Sequence, residues 1–272
     1  MVTLGQLAAL DLLIWLFTNE RAARLTGTNP STISRRSRQV LGAFNLRLFR
    51  DPEGWTLQGD PTLLRLQRRV HQLARFGGRA PLRLHLPYWT RRRWLDRLPA
   101  GWLLNPPDPD LVCENPITLL RERIIDAALV TPTQIPERVS DLKLVDLYRR
   151  PIELTLLAGG SSPSPSGEPI LKLLPFLPRS CRERSLEWFN GLTGSDWTRP
   201  DGSPTVAFLT AEMREAQSLP WTVDASFEPY PYVERLVVLA ENAGRCELNQ
   251  LEEQLMGAGW LGAVPPWRAP AS

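Results

Sequence analysis

The chain has 272 residues, which fits two or three domains, and its 43% hydrophobic and 22% charged residues are ordinary globular values. Its net charge of +3 is unevenly spread, because residues 1–79 hold 12 arginines against five acids, or +7, and the remainder carries −4. The ordinary shares of hydrophobic and charged residues exclude a wholly disordered chain. A basic first third joined to an acidic remainder is typical of a nucleic-acid-binding module attached to another domain.

The cysteines and histidines exclude several classes of site. Cys113, Cys181 and Cys246 lie far apart without any CxxC pair, and only two histidines are present. We therefore expect no disulfide scaffold, no metal site, no cofactor and a reducing compartment. The apolar start of the chain has no basic leading segment and is interrupted by Asp11, so we predict neither a signal peptide nor a membrane span. A cytoplasmic protein is the expectation.

The first 44 residues predict three helices. Apolar residues at helical spacing indicate a first helix over 3–18, and a short second helix follows over about 20–25. Gly27 allows a tight turn, and the capping residues and proline of 28–31 favour the start of a third helix over about 31–44. A short helix, a tight turn and a helix with a basic exposed face are typical of a helix-turn-helix.

A hairpin and a fourth helix come next. Two extended segments, 46–50 and 55–58, flank turn-forming residues and predict a small hairpin, or wing. Residues 61–76 predict a helix that ends at a Gly-Gly pair. Its apolar residues follow the 3-4-3 spacing of a coiled coil, so we expect two subunits to meet there through Leu63, Leu66, Val70 and Leu73.

The remainder of the chain predicts an α/β domain, in which strand-like and helical segments alternate. The predicted strands are 81–86, 111–113, 124–130, one or two within 142–157, 170–176, 206–209 and 236–240. The predicted helices are 90–98, 117–123, 180–190 and 247–256.

Residues 22–58 resemble the DNA-binding region of LysR-type transcriptional regulators. Ala22 and Ala23 lie twelve residues before Ser34 and Arg35, and Leu48 and Phe49 follow, all without a gap relative to the family pattern. The segment 55–58 occupies the position where the wing ends in the family pattern, but about one residue earlier than in that pattern.

The chain also departs from that pattern. Thr26 and Ser37 stand where the family usually has large aliphatic residues, and Asn45 replaces the usual glycine. Asp51 and Glu53 occupy wing positions where basic residues are common. These departures predict a less tightly packed headpiece and a weaker or altered wing contact.

The resemblance implies an α/β multidomain protein: an all-α winged helix-turn-helix headpiece over 1–58, a dimerising linker helix over 59–78, a two-lobed α/β effector domain of periplasmic-binding-protein type over 79–260, and a loosely ordered tail over 261–272. Its partners would be double-stranded DNA and a small effector, in a homodimer or homotetramer. The helix start and the arginines offer donors for phosphates and base edges, although some arginines could simply be solvated. The candidate DNA-binding residues are Asn29, Ser31, Thr32, Ser34, Arg35, Arg36, Arg38 and Arg50.

The resemblance continues more faintly beyond residue 80. Residues 119–130 resemble the family's helix and following strand, with Asp126 at its acidic position, and 217–220 and 236–240 resemble later family segments. If the fold holds, two loops face the effector cleft, and we expect a small anionic metabolite to contact Tyr88, Trp89, Thr90, Thr131 and Thr133. An ordinary helix cap for Thr90, and core packing for Trp89 and Trp94, are the competing interpretations.

Two other functions stay open. The short second lobe and its missing glycines favour an effector-independent repressor or architectural protein whose second domain is only an oligomerisation scaffold. An enzyme is disfavoured, because the chain has no GxSxG motif, no phosphate-binding glycine loop and no cluster of His with Cys or acids. Glu122 and Asp126 do form a carboxylate pair, for which we expect ion pairing with Arg121 or Arg123 rather than catalysis.

Overall fold

The structure is a computed structural model. The residues that it describes are 2–51, 54–87, 90, 94–106, 116–131, 134–157, 206–209, 221–223 and 230–257.

The headpiece contains three helices and a hairpin, as the sequence predicts. The helices are α1 (Leu4–Leu16), α2 (Asn19–Thr26) and α3 (Pro30–Ala43), and the antiparallel strands are β1 (Arg47–Asp51) and β2 (Gly54–Gln58).

Local chemistry explains where the headpiece helices begin and end. Thr3 and Gln6 form a reciprocal capping box at the start of α1, and Thr18 accepts a hydrogen bond from the first turn of α2. Gly27 has a φ of 63° and ends α2, which turns the chain into α3. Asn45 has a φ of 54° after α3. Asparagine tolerates this left-handed conformation better than most residues, so it suits this turn.

The second half of the chain contains a mixed sheet. Its strands are β3 (Leu82–His85), β4 (Trp102–Leu104), β5 (Ala127–Val130), β6 (Leu142–Leu157), β7 (Val206–Leu209), β8 (Trp221–Val223) and β9 (Tyr230–Leu239). The order is β4-β3-β5-β9-β6-β7, and β8 also pairs with β6. Pairing is parallel among β4, β3 and β5 and antiparallel elsewhere.

Three of the described α-helices accompany this sheet. They are α4 (Thr62–Phe76), which is the predicted linker helix, α5 (Pro116–Arg121) and α6 (Cys246–Met256). One face of the sheet packs against α5 and the headpiece core, and the other packs against α6 and the buried Trp94. Core packing, the competing interpretation for Trp94, is therefore what the structure shows.

Several predicted elements differ from the observed ones. The strand predicted over 124–130 starts only at Ala127, because Arg123 has a φ of 57° and the chain turns there. Of the helix predicted over 90–98, the described residues show Trp94 in α-helical conformation, followed by a short 3-10 turn over Leu95–Arg97. The sequence did not predict β4 or β8. The elements predicted at 111–113, 170–176 and 180–190, and the tail, lie outside the described residues.

The second lobe is only partly described. The far end of β6 pairs with β7 and β8, whereas its first half belongs to the sheet of β3, β5 and β9. One strand thus connects two groups of strands, which is compatible with the predicted two lobes. The predicted domain limits stay predictions.

Helix α1 lies between the other headpiece helices and the sheet domain. It is buried along most of its length, and its apolar side chains belong to one hydrophobic core that includes residues of the sheet domain. This core contains Leu10 and Ile14 of α1 together with Leu120 of α5 and Val237 of β9. A helix that is apolar on every side requires partners on every side. The headpiece therefore packs directly against the sheet domain.

A buried ion pair lies at this junction. Asp11 of α1 is 1% exposed, and Arg68 of α4 donates from Nε to its Oδ1 over 2.8 Å. Arg68 also donates from Nη1 to Glu122 over 2.9 Å, and Arg83 of β3 approaches the second Asp11 oxygen at 3.5 Å. Glu122 thus pairs with arginines of α4, Arg68 and also Arg65, and not with Arg121 or Arg123 as the sequence suggested.

A second buried cluster surrounds Asp126. Arg75 of α4 donates from Nε and Nη2 to its two oxygens over 2.8 Å each, Gln72 donates to one of them, and the backbone N–H of Arg83 donates to the other. Burial would lower the pKa of Arg75, but the charge and hydrogen bonds of Asp126 raise it above its usual value. Asp126 therefore holds α4 to β3 and to the start of β5, and again its side-chain partner is not Arg121 or Arg123.

Strand β3 is buried on both faces. The alternation of 81–86 suggests a solvent-facing side, yet Arg83 and His85 are about as buried as their apolar neighbours. Trp15 of α1 donates from its indole N–H to Nδ1 of His85 over 3.2 Å. Burial lowers the pKa of His85 to about 4, so the ring is neutral at neutral pH and can accept this bond.

We expect Arg68→Ala to destabilise the protein by about 3–5 kcal/mol, because it leaves the Asp11 carboxylate buried without its closest partner. Arg69→Ala is the matched control, because Arg69 is the neighbouring residue of α4 and its side chain is 61% exposed. The control should change stability by no more than about 0.5 kcal/mol. Urea denaturation of the two variants measures this difference, and equal losses would contradict a structural role for the buried pair.

Candidate nucleic-acid interface

Helices α2 and α3 meet through small and apolar side chains. Ala22 and Ala23 are buried, and Ile33, Ser37 and Val40 form the buried face of α3. Ser37 carries a buried hydroxyl without a hydrogen-bond partner among the described residues. A serine at this position fills less of the core than an aliphatic side chain would. The looser headpiece packing predicted from the sequence would include a position of this kind.

The opposite face of α3 is polar and open. Ser31, Arg35, Arg38 and Gln39 line a shallow depression on it. Arg38 bonds back to Ser34 through the backbone carbonyl at 3.4 Å and the hydroxyl at 3.2 Å. The depression therefore presents arginine and amide groups at the spacing of one helical turn, which suits contacts to phosphates and base edges.

The structure separates the two adjacent arginines. Arg35 is exposed on the outward face, whereas Arg36 is half-buried on the flank of α3 that faces the start of α1. A Cβ added at Gly5 would lie 3.7 Å from Nη1 of Arg36. From the sequence, Arg35 and Arg36 are both candidate DNA-binding residues, but in the structure their side chains point in different directions.

The start of α3 leaves polar groups exposed. Asn29 is the N-cap residue, but its side chain makes no capping hydrogen bond and is exposed, and Pro30 occupies the first turn. Thr32 and Ser34 are half-buried beside this outward face. The first-turn N–H groups and the positive end of the helix dipole suit a phosphate.

The wing is fixed to α1. Trp55 donates from its indole N–H to the carbonyl oxygen of Phe17 over 3.0 Å, and a Cβ at Gly54 would lie only 3.3 Å from the Phe17 ring. Arg50 is exposed, with its guanidinium 5.9 Å from the centre of the Trp55 ring. The anchoring tryptophan thus also orients the arginine of the wing. Glu53 lies outside the described residues.

The sequence did not single out Gln39. It lies one turn beyond Arg35, and its side-chain oxygen accepts a hydrogen bond from Nε2 of Gln6 over 3.0 Å. The burial period of Ile33, Ser37 and Val40 places residue 39 on the outward face, so a helical projection of the sequence would have found it.

The candidate effector residues are only partly described. Tyr88, Trp89 and Thr133 lie outside the described residues. Thr90 is fully buried, and its hydroxyl donates to the carbonyl of Pro87 over 2.9 Å. The N–H of Thr131 donates to Oε1 of Gln134 over 3.1 Å, and its hydroxyl lies 3.4 Å from the same oxygen. Both hydroxyls are therefore engaged inside the protein.

Helix α4 has two different sides. Its buried side holds the arginines of the ion-pair clusters. Its exposed side carries the four apolar residues of the predicted seam, which are 48–63% exposed in this single chain: Leu63, Leu66, Val70 and Leu73. The seam is thus left uncovered by the chain's own described residues.

Neither a membrane span nor a metal cluster is found where the structure describes the chain. None of the described helices combines the length and apolar character needed to cross a bilayer. The described residues bring no three His, Cys, Asp or Glu side chains together in a way that could hold a metal ion.

No protein-family model and no curated protein matches this sequence. Solved structures similar to it over most of its length are LysR-family transcriptional regulators. CrgA from Neisseria meningitidis is 13% identical, covers 93% of this chain and 97% of its own, and has a TM-score of 0.38. ArgP from Mycobacterium tuberculosis is 13% identical, over 93% and 96%, with a TM-score of 0.46. CbnR in complex with its target DNA is 12% identical, over 94% and 99%, with a TM-score of 0.45. At these values the likeness does not decide the function of this chain.

We expect the combined change Leu66→Glu and Val70→Glu to convert a dimer into the 30.7 kDa monomer, because the charges would face each other across the seam. Adding two carboxylates elsewhere, with Gln250→Glu and Gln254→Glu on the exposed side of α6, is the matched control and should leave the dimer intact. Sedimentation velocity measures both variants. A dimer that survives the α4 change would exclude this seam as the interface.

Proposed function

We propose that this protein is a DNA-binding transcription regulator of LysR type that acts as a homodimer. The observation that carries the proposal is the outward face of α3, where Ser31, Arg35, Arg38 and Gln39 stand together beside a wing that presents Arg50. A helix of this kind fits the major groove, with its first residues on base edges. The basic first third of the chain supports it through attraction to phosphates.

The uncovered seam of α4 supports the dimer. Two copies of α4 would bury the four exposed apolar side chains symmetrically. A dimer would also carry two α3 helices, which a pseudo-palindromic site with half-sites a whole number of turns apart requires.

We further propose that the sheet domain binds a small anionic metabolite beyond the carboxyl ends of β3 and β5. These strands are parallel, and Thr90 and Thr131 follow them. Ligands of parallel α/β sheets bind outside these strand ends, where backbone N–H groups become free. Because the hydroxyls and the backbone N–H groups of both threonines are engaged within the protein, the contribution expected from this end of the sheet is mainly the shape of its loops.

The engagement of the Thr90 and Thr131 hydroxyls within the protein also favours a second function. With both hydroxyls engaged, and with α1 and α4 held to the sheet by buried ion pairs, the sheet domain could serve as a rigid oligomerisation scaffold. The protein would then be an effector-independent repressor or architectural protein.

Arg35→Ala should weaken binding to a preferred DNA sequence by about 1–3 kcal/mol, because Arg35 is exposed on the outward face of α3. Arg36→Ala should cost less, since that side chain lies against the start of α1. Arg79→Ala removes the same charge from an exposed position away from α3 and serves as the control. The preferred DNA is obtained by selection from random duplexes, and fluorescence anisotropy at several salt concentrations gives the affinities. If all three variants lost the same amount of affinity, α3 would contribute only its positive charge to DNA binding.

The effector proposal predicts that at least one compound from a panel of small carboxylates and phosphates raises the melting temperature of the full chain. Thr131→Val should lower the melting temperature without ligand, because it removes the hydroxyl near Gln134, and should also reduce the increment that the compound produces. Thr118→Val makes the same chemical change on the exposed side of α5 and should keep the increment. If no compound of the panel stabilises the wild type, the effector-independent function is favoured.

A further inference from the structure

The side-chain amide of Gln6 has only one possible orientation. The backbone N–H of Thr3 donates to its Oε1 over 2.9 Å as part of the capping box of α1. A backbone N–H can only donate, so the atom that it meets must be the amide oxygen. The amide nitrogen of Gln6 therefore faces α3.

This orientation in turn fixes Gln39. Nε2 of Gln6 can only donate, and it lies 3.0 Å from Oε1 of Gln39. The oxygen of Gln39 is thus directed toward α1, and its amino group is left on the exposed face that also carries Arg35 and Ser31. A chain of two hydrogen bonds runs from the cap of one helix to the outward face of another.

We propose that Gln6 positions Gln39 as a hydrogen-bond donor in the DNA major groove, and that Gln39 thereby selects guanine at one base pair of each half-site. The proposal rests on the proposed DNA-binding function and names a specificity determinant within it. Gln39 would be the group that contacts the base, and Gln6 is a positioning residue that need not touch DNA.

The preference follows from the major-groove pattern of each base. A donor-only side chain finds two neighbouring acceptors on guanine, N7 and O6, but only O4 on thymine and only N7 on adenine, where it lies beside a donor; cytosine presents its N4 amino group, a donor. A glutamine recognises adenine best when its oxygen and nitrogen both contact the base. The oxygen of Gln39 is turned toward Gln6, so the two-point contact to adenine is weakened and a donor-only contact to guanine is favoured.

The decisive variant is Gln6→Glu. Glutamate serves at this position of a capping box as well as glutamine does, so the start of α1 is preserved. The new carboxylate can only accept, and it would attract the amino group of Gln39 and turn its oxygen toward the groove. An acceptor there favours cytosine or adenine, which carry amino groups, over guanine.

Selection from random DNA duplexes, followed by anisotropy on single-base variants of the selected site, measures this change. We expect the wild type to prefer guanine at one position by about tenfold, and Gln6→Glu to reverse that preference while the other positions stay unchanged. The added negative charge should lower affinity for all sequences alike, so the ratio between bases at that position is the diagnostic quantity. Circular dichroism confirms that α1 remains folded.

Gln39→Ala supplies the matched control. It should abolish the preference at that position, and adding Gln6→Glu to it should then change no base ratio. If wild type and Gln6→Glu select the same bases, or if the reversal persists in the double variant, the proposal is wrong although DNA binding stands. If the wild type selects no DNA sequence at all, the proposed function fails, and this inference with it.

Discussion

A carboxylate buried between two domains is the constraint on which the rest of this structure depends. Asp11 interrupts the most apolar of the described helices and is almost completely buried. A buried charge without a partner is strongly destabilising, so Asp11 requires the guanidinium of Arg68 where the structure places it. That requirement fixes α4 beside α1. The Asp126 cluster, with Arg75 and Gln72, then fixes α4 against the sheet.

The ion pairs divide α4 into two functional sides. Its arginines at positions 68 and 75 face inward, so its apolar seam faces outward and is available to a second subunit. This arrangement inverts the usual expectation for an amphipathic helix, in which the apolar side faces the chain's own core. Because removing one partner of a buried pair costs more than the pair itself contributes, these arginines specify one position of α4 more than they add to stability.

The same junction links the proposed DNA contacts to the sheet domain. The wing is anchored to Phe17 at the end of α1, α3 contacts the start of α1 through Gln6, and α1 packs on α5 and β9. The indole of Trp15 adds a hydrogen bond to His85 of β3. An event in the sheet domain that moves α1 or α4 would therefore move the whole headpiece, since packed side chains join the two among the described residues. The proposed regulator would need such a coupling for a ligand to change the distance between the α3 helices of two subunits.

The sequence alone determined the headpiece and the linker helix, because their signals are local. The helical spacing of apolar residues, the turn at Gly27, the capping residues and proline of 28–31, and the 3-4-3 seam of α4 each act within a few residues. The tertiary structure alone decided the partners of Asp11, Glu122 and Asp126, which stand 43 to 72 positions from the arginines that bind them. It also decided that Arg35 faces outward while Arg36 faces α1, and that Gln6 meets Gln39 across 33 positions. Charge patterns in a sequence show that arginines and acids are present, but pairing depends on which backbones approach, and that is settled only when the helices pack against the sheet.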